Sequence, residues 1–213
     1  RPSLELVLGS VDDTVDPLEE ANEHYVLLEL SSGQSEERLR EVTEAILVAG
    51  MEEGEILDGV IAESSRQRRG LWSLRESIPE AEKHEGGSVK HDVSVTIDRI
   101  PEFLEVAPRR LAEIARCRYS VYGHIGDGNL HFNLLAPEGE DPAAFKDEQG
   151  PALSECVHDL AAELGGSFSA EHGVGKLKKG ELARYKDPAS LGAMRAIKAA
   201  LDPKGLMNPG KVL

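Results

Sequence analysis

The chain is poor in cysteine and in basic charge, and it has no long apolar run. Two cysteines in 213 residues, Cys117 and Cys156, stand in no CxxC or other ligand spacing. That excludes a disulfide framework and fits a reducing compartment, so a cytoplasmic location is the expectation. The longest purely apolar stretch, residues 45–51, is far too short to cross a bilayer. Lys and Arg number 24 against 39 Asp and Glu, a net charge of −15, so a broad phosphate-binding face would work against the field of the whole molecule and nucleic acid is excluded as an expected partner. Residues 1–9 carry neither the apolar run nor the cleavage pattern of a signal peptide, and the opening on Arg1 reads as a fragment or a processed chain. What is present, 40% hydrophobic and 30% charged residues, is the composition of a globular protein able to bury a core of one large or two small domains.

Periodicity divides the chain. In the first part an apolar segment at residues 4–8 precedes an acidic loop and a strand over residues 25–30. Ser35 then opens a helix to Gly50 with Leu39, Val42, Ile46 and Ala49 on one face. A second strand at residues 56–62 and a polar helix over residues 64–82, ended by Gly86 and Gly87, follow. The second part reads strand 91–97, helix 101–116, strand 119–125, strand 130–135, helix 151–164 and strand 167–170. This β-α-β-β-α-β order predicts an α+β fold, a ferredoxin-like antiparallel sheet with its helices on one face. Pro108 inside the second-part helix predicts a kink or break near Ala107. Residues 176–213 read as a C-terminal helical segment, so the domain expectation is 1–175 with a split near residue 88, followed by 176–213.

The densest chemical signal is the run Tyr122-Gly-His-Ile-Gly-Asp-Gly-Asn-Leu-His-Phe-Asn133. Gly-Asp-Gly-Asn is a turn composition between strand-like flanks, so the run predicts a hairpin with a four-residue loop in which Ile125 pairs with Leu130 and His124 with His131. Opposed residues have Cβ atoms about 4.5–5.5 Å apart, close enough for two imidazoles to share one ion, and Asn133 points to the same face. Glu171, in a Glu-His-Gly-Val-Gly run after the last strand, is the obvious third ligand. Two imidazoles and a carboxylate with open positions form a catalytic rather than a structural set, suited to Zn²⁺, Mn²⁺ or Fe²⁺. Taken singly, hairpin histidines are more often structural; the joint pattern shifts that balance toward a metal, and the resemblance given below shifts it most. Arg75, beside Leu71, Trp72 and Leu74, and Lys90, after Gly86 and Gly87, suit the clamping of a substrate carboxylate, although a solvated face is the simpler reading of each.

The strings YGHIGDGNLHFNL, SAEHGVGKLKKGEL, ALDPKGLMNPGKVL and GLWSLRESIPEA closely resemble the C-terminal domain of the FAD-linked oxidases and dehydrogenases of D-2-hydroxy acids, the family of D-2-hydroxyglutarate dehydrogenase, D-lactate dehydrogenase and the glycolate oxidase flavoprotein subunit. The resemblance runs over nearly the whole chain. It implies that His124, His131 and Glu171 bind a divalent metal, zinc first among the choices, that His172 is the base beside it, that Asn133 contacts substrate, and that Arg75 and Lys90 hold its carboxylate. It also implies FAD, bound mainly by a separate N-terminal domain in cis or on another subunit, with a small 2-hydroxy acid as substrate and a homo-oligomer as an open possibility. Where relatives resembling the hydroxyglutarate enzyme carry Thr and Tyr, this chain has Pro79 and His91, which leaves the identity of the acid open. On this reading the chain alone is half an active site and inactive. The rivals are a metal- or carboxylate-binding module without redox turnover, and a metallohydrolase, which would call for an HExxH-type helix or a second acidic base that the sequence does not display.

Overall fold

Serine caps and early prolines fix where most helices begin. The computed structural model describes residues 1–213, which separate into two units, Arg1–His84 and Glu85–Leu213. In the first unit α1 (Pro2–Ser10) starts on a proline, where the missing N–H costs nothing. Ser35 opens α2 (Glu36–Glu52), its hydroxyl accepting from the Arg38 N–H at 3.3 Å. Ser64 opens α3 (Ser65–Glu76) in the same way through Gln67 N–H, at 3.2 Å. The polar helix read as continuous to residue 82 is two helices, α3 and α4 (Ile78–His84). Pro79 has no N–H for the Arg75 carbonyl, so it terminates one helix and sits in the first turn of the next.

Val7, Leu74, Ile78 and Ala81 form the small core where α1 meets α3 and α4. The strands read at residues 25–30 and 56–62 do not form; both segments are irregular. Several of their apolar residues stay exposed, Val26 at 78% and Leu57 at 80%, and neither segment pairs with a neighbour in a sheet. Extended backbone becomes a strand only with a ladder partner, whatever its β-propensity.

The second unit holds the sheet. β1 (Asp92–Ser94), α5 (Ile100–Ala112), β2 (Arg118–His124), β3 (Asn129–Leu135), α6 (Pro142–Glu148), α7 (Gly150–Glu163), α8 (Lys179–Tyr185) and α9 (Pro188–Leu201) follow in order. The three strands pair antiparallel in the order β1-β3-β2, so with its nine helices the chain is mixed α+β. The expected fourth strand, residues 167–170, is reduced to a single bridge between Ser94 and Ser167 on the free edge of β1, extended by a bond from the Ala170 N–H to the Asp92 carbonyl at 3.0 Å. Gly166 permits this approach: a Cβ there would lie 1.9 Å from the Ser94 carbonyl oxygen.

Alternation sorts the sheet's two faces. Val93, Leu130, Phe132 and Leu134 share one core with Phe103, Ala107 and Leu111 of α5 and Leu153, Val157 and Leu160 of α7. Each of the two phenylalanines, fully buried, is worth about 2–3 kcal/mol in area removed from water. The residues one step out of phase, Asp92, Tyr122, His124, Asn129, His131 and Asn133, lie on the opposite, polar face. α5 runs unbroken through Pro108, contrary to the expected break. Ala107 and Leu111 on either side are buried in the core, and that packing outweighs the one hydrogen bond that proline removes.

Candidate metal and substrate site

Residues on the polar face of the hairpin meet the turn that follows the Ser94–Ser167 bridge. The β2–β3 register differs from the expected one: Tyr122 opposes His131 and His124 opposes Asn129, so the loop is residues 125–128 and not 126–129. Asn129 is drawn into the ladder because its side-chain amide donates to Asp92 Oδ1 at 2.9 Å. Gly128 closes the turn in the left-handed region, at φ +68°, so near β1 that a Cβ would lie 1.8 Å from the Val95 carbonyl oxygen. The two histidines are therefore diagonal neighbours, still on one face. Such neighbours have Cα atoms about 7–8 Å apart, within reach of a shared third group.

That group is Glu171. His124 Nδ1 lies 3.1 Å from Glu171 Oε1, and His131 Nε2 lies 3.7 Å from Glu171 Oε2. Each imidazole thus faces a different oxygen of Glu171, and of the three expected ligands only His131 belongs to the group whose ligand atoms all lie within 4.8 Å of one another, Asp92, His131 and His172. The donor set, two imidazoles and one carboxylate, is of the kind that borderline divalent metals take. His131 is nearly buried, its side chain 12% exposed, while His124 at 58% and Glu171 at 42% are open. Tyr122 backs the His131 ring with centroids 4.8 Å apart. His172 also stands beside His131, ring centroids 5.5 Å apart, with its side chain 61% exposed.

Asp92 joins the two halves of this arrangement, and sequence reasoning missed it. Its carboxylate accepts the Glu171 N–H at 2.9 Å and the His172 N–H at 2.8 Å through Oδ2, besides Asn129 through Oδ1. Burial alone pushes the Asp92 carboxyl up, but the bonds from His172, Glu171 and Asn129 and the proximity of the His172 ring more than offset it and hold the group below its ordinary value. The available signal was an acidic residue at a strand position between His91 and Val93, since a charge in a packed strand must be paired. Asp92, His131 and His172 can each bring one ligand atom within 4.8 Å of the others.

The remaining expected residues are placed as follows. Asn133 is buried, and its Oδ1 accepts the His91 N–H at 3.1 Å. Lys90 is exposed just before β1, and Arg75 is half-buried on α3 of the first unit. His91 points to the helix side: its Nδ1 is 2.6 Å from the Phe132 carbonyl oxygen and its Nε2 2.9 Å from Ser154 Oγ.

Nearly the whole chain is similar to known proteins. Residues 2–212 match the family model described as FAD linked oxidases, C-terminal domain. The chain is 36% identical over 211 residues to the mitochondrial D-2-hydroxyglutarate dehydrogenase of Arabidopsis thaliana, covering 99% of this chain and 36% of that protein. It is 38% identical over 211 residues to the D-2-hydroxyglutarate dehydrogenase of Stutzerimonas stutzeri (strain A1501), covering 99% and 44%. With the mitochondrial D-2-hydroxyglutarate dehydrogenase of Rattus norvegicus the identity is 40% over 193 residues, covering 89% and 34%. The chain thus spans between about a third and just under half of the length of these curated relatives. With a match from residue 2 to residue 212, it belongs to the family of FAD-linked oxidase C-terminal domains.

Proposed function

We propose that this chain is the metal- and substrate-binding part of a flavin-dependent dehydrogenase that oxidises a D-2-hydroxy acid to the 2-keto acid, working with an FAD-binding domain in the same chain or on a separate subunit. The observation that carries the reading is the convergence of His124 and His131 on the Glu171 carboxylate, with His172 beside His131. In this reading His124, His131 and Glu171 hold one divalent ion, zinc first and manganese or iron next, which as a Lewis acid lowers the pKa of the C2 hydroxyl. FAD, where bound, supplies the acceptor for the hydride from C2.

The chain's own residues do the rest. His172 takes the hydroxyl proton on an imidazole nitrogen, and its exposure leaves that nitrogen open to an incoming ligand. Lys90 supplies a point charge for the carboxylate, and for Arg75, on α3 of the first unit, the resemblance implies a bidentate hold on a carboxylate. Asn133 orients the substrate from the polar face. Binding of D-2-hydroxyglutarate itself is favoured by the names of the relatives; His91, buried and bonded to the Phe132 carbonyl and Ser154 on the helix side, does not face the acid.

The experiment has two parts. Titration of Zn²⁺ into the chain should give one site, weakened at least tenfold by His124→Ala, His131→Ala or Glu171→Ala. With the FAD-binding domain present, steady-state dye reduction with D-2-hydroxyglutarate, D-lactate and glycolate should show turnover of at least one acid, slowed about 10²–10⁴-fold by His172→Ala. Zinc affinity indifferent to all three substitutions would overturn the metal assignment, and full activity of the His172 variant would remove it from the role of base.

A further inference from the structure

Asp92 is 2% exposed. A lone ionised carboxylate that deep is prohibitively costly, so its partners define what it is for. A carboxylate offers about four acceptor positions. Three are taken: Oδ2 by the N–H groups of Glu171 and His172, and Oδ1 by the Asn129 amide. The His172 ring is near but not bonded, with Nδ1 3.6 Å from Oδ2. The carboxylate is thus committed to the polypeptide, whereas the oxygens of Glu171 face two imidazoles.

We propose that Asp92 is the positioning residue of the site: by accepting two consecutive backbone N–H groups it fastens the Glu171–His172 turn to the sheet and so sets where the third ligand and the base stand relative to His124 and His131. The proposal rests on the metal reading above and deepens it. The turn has little else to hold it to β1, the Ser94–Ser167 bridge and the Ala170 bond being its ties upstream. Asn129 is part of the same device. Its Nδ2 serves Asp92, while its Oδ1 is buried with no hydrogen-bond partner, a cost that the fold accepts in order to present a donor to the carboxylate.

That unpartnered oxygen makes the role testable by a conservative change. In Asp92→Asn, the new side-chain oxygen keeps the two backbone N–H groups, and Asn129 can turn over to offer its free Oδ1 to the new amide. The turn then stays in place without the charge. Asp92→Ala releases it. In a competition titration of Zn²⁺ against a chromophoric chelator, Asp92→Ala should weaken binding about 10–100-fold, the usual cost of losing a group that orients a ligand, and Asp92→Asn should remain within about threefold of the unaltered protein.

Amide hydrogen exchange on the unaltered chain gives a second reading that needs no variant: the Glu171 and His172 amides should be protected, because both are bonded to a buried acceptor. Exchange of these two amides at the rate of an unstructured peptide overturns the proposal even if Asp92→Ala fails to fold. Equal loss of zinc in Asp92→Asn and Asp92→Ala also overturns it, since that would make the residue a ligand by its charge. Wild-type affinity in Asp92→Ala beside lost affinity in Glu171→Ala refutes the role of Asp92 alone. Wild-type affinity in Glu171→Ala refutes the metal reading itself.

Discussion

Acid should loosen the second unit through His91, an imidazole that the fold keeps neutral. The ring is 2% exposed. Its Nδ1 faces a carbonyl, which can only accept, so Nδ1 carries the proton and Nε2 accepts from the Ser154 hydroxyl. Burial pushes its pKa down to about 4, the Phe132 bond opposing this and the charges of His158 and Lys178 adding to it. The free imidazole titrates near 6.5. Between those values the unfolded chain binds a proton that the folded chain refuses, so stability from this residue is whole above pH 6.5 and is lost as the pH falls toward 4. A gap of about 2.5 units at about 1.36 kcal/mol each amounts to about 3 kcal/mol. His158, its ring 5.6 Å away, is lowered by burial and by Lys178 and acts in the same direction.

The assay is urea unfolding followed by far-ultraviolet circular dichroism at several pH values between 7.5 and 4, on the unaltered chain and on His91→Gln. Carboxylates and His158 titrate in both proteins, so the difference between the two slopes isolates His91. The glutamine variant should be less stable at neutral pH and less sensitive to acid. Parallel stability curves from pH 6.5 to 4 would refute the reasoning, whatever the absolute loss.

Two further outcomes are expected. Pro108→Ala should stabilise the chain by about 2 kcal/mol, because a helix-interior proline costs about 3 kcal/mol and its restriction of the unfolded chain returns up to about 1; a lower urea midpoint in the variant would contradict the account of α5. Gly128→Ala should both destabilise the fold by at least about 1–3 kcal/mol and weaken zinc binding, since a side chain there strikes the Val95 carbonyl and drives His124 away from His131; unchanged zinc affinity would show that the hairpin turn does not set the histidine spacing.

The parts of the fold that local rules govern were legible. The hairpin, α5 and α7 follow from alternation, proline starts and glycine stops, and the strand period places His124 and His131 on one face of the sheet without tertiary knowledge. What escaped depends on distant partners. The register moved because Asn129 answers to Asp92, 37 positions away. The segments at 25–30 and 56–62 have strand-like sequences, but strand formation belongs to a pair and not to a segment. Asp92 was passed over because periodicity weighs apolar positions and is blind to an acid that the backbone of another element requires. The division between α3 and α4 is readable from Pro79, whose missing N–H ends the first helix.

The last strand's reduction to one bridge has a consequence for how the protein fails. β2 and β3 are zipped through seven residue pairs and β1 and β3 through three, whereas the segment bearing Glu171 and His172 is fastened by a handful of bonds at the sheet margin. Opening free energies follow such differences in local attachment. Warming should therefore detach that margin while the rest of the sheet keeps its native spectrum, so the Glu171 and His172 amides lose their protection before the sheet melts and regain it on cooling. The histidines would wait on the intact hairpin for the missing carboxylate to return, and resistance to heat would be governed by the weakest seam and not by the core.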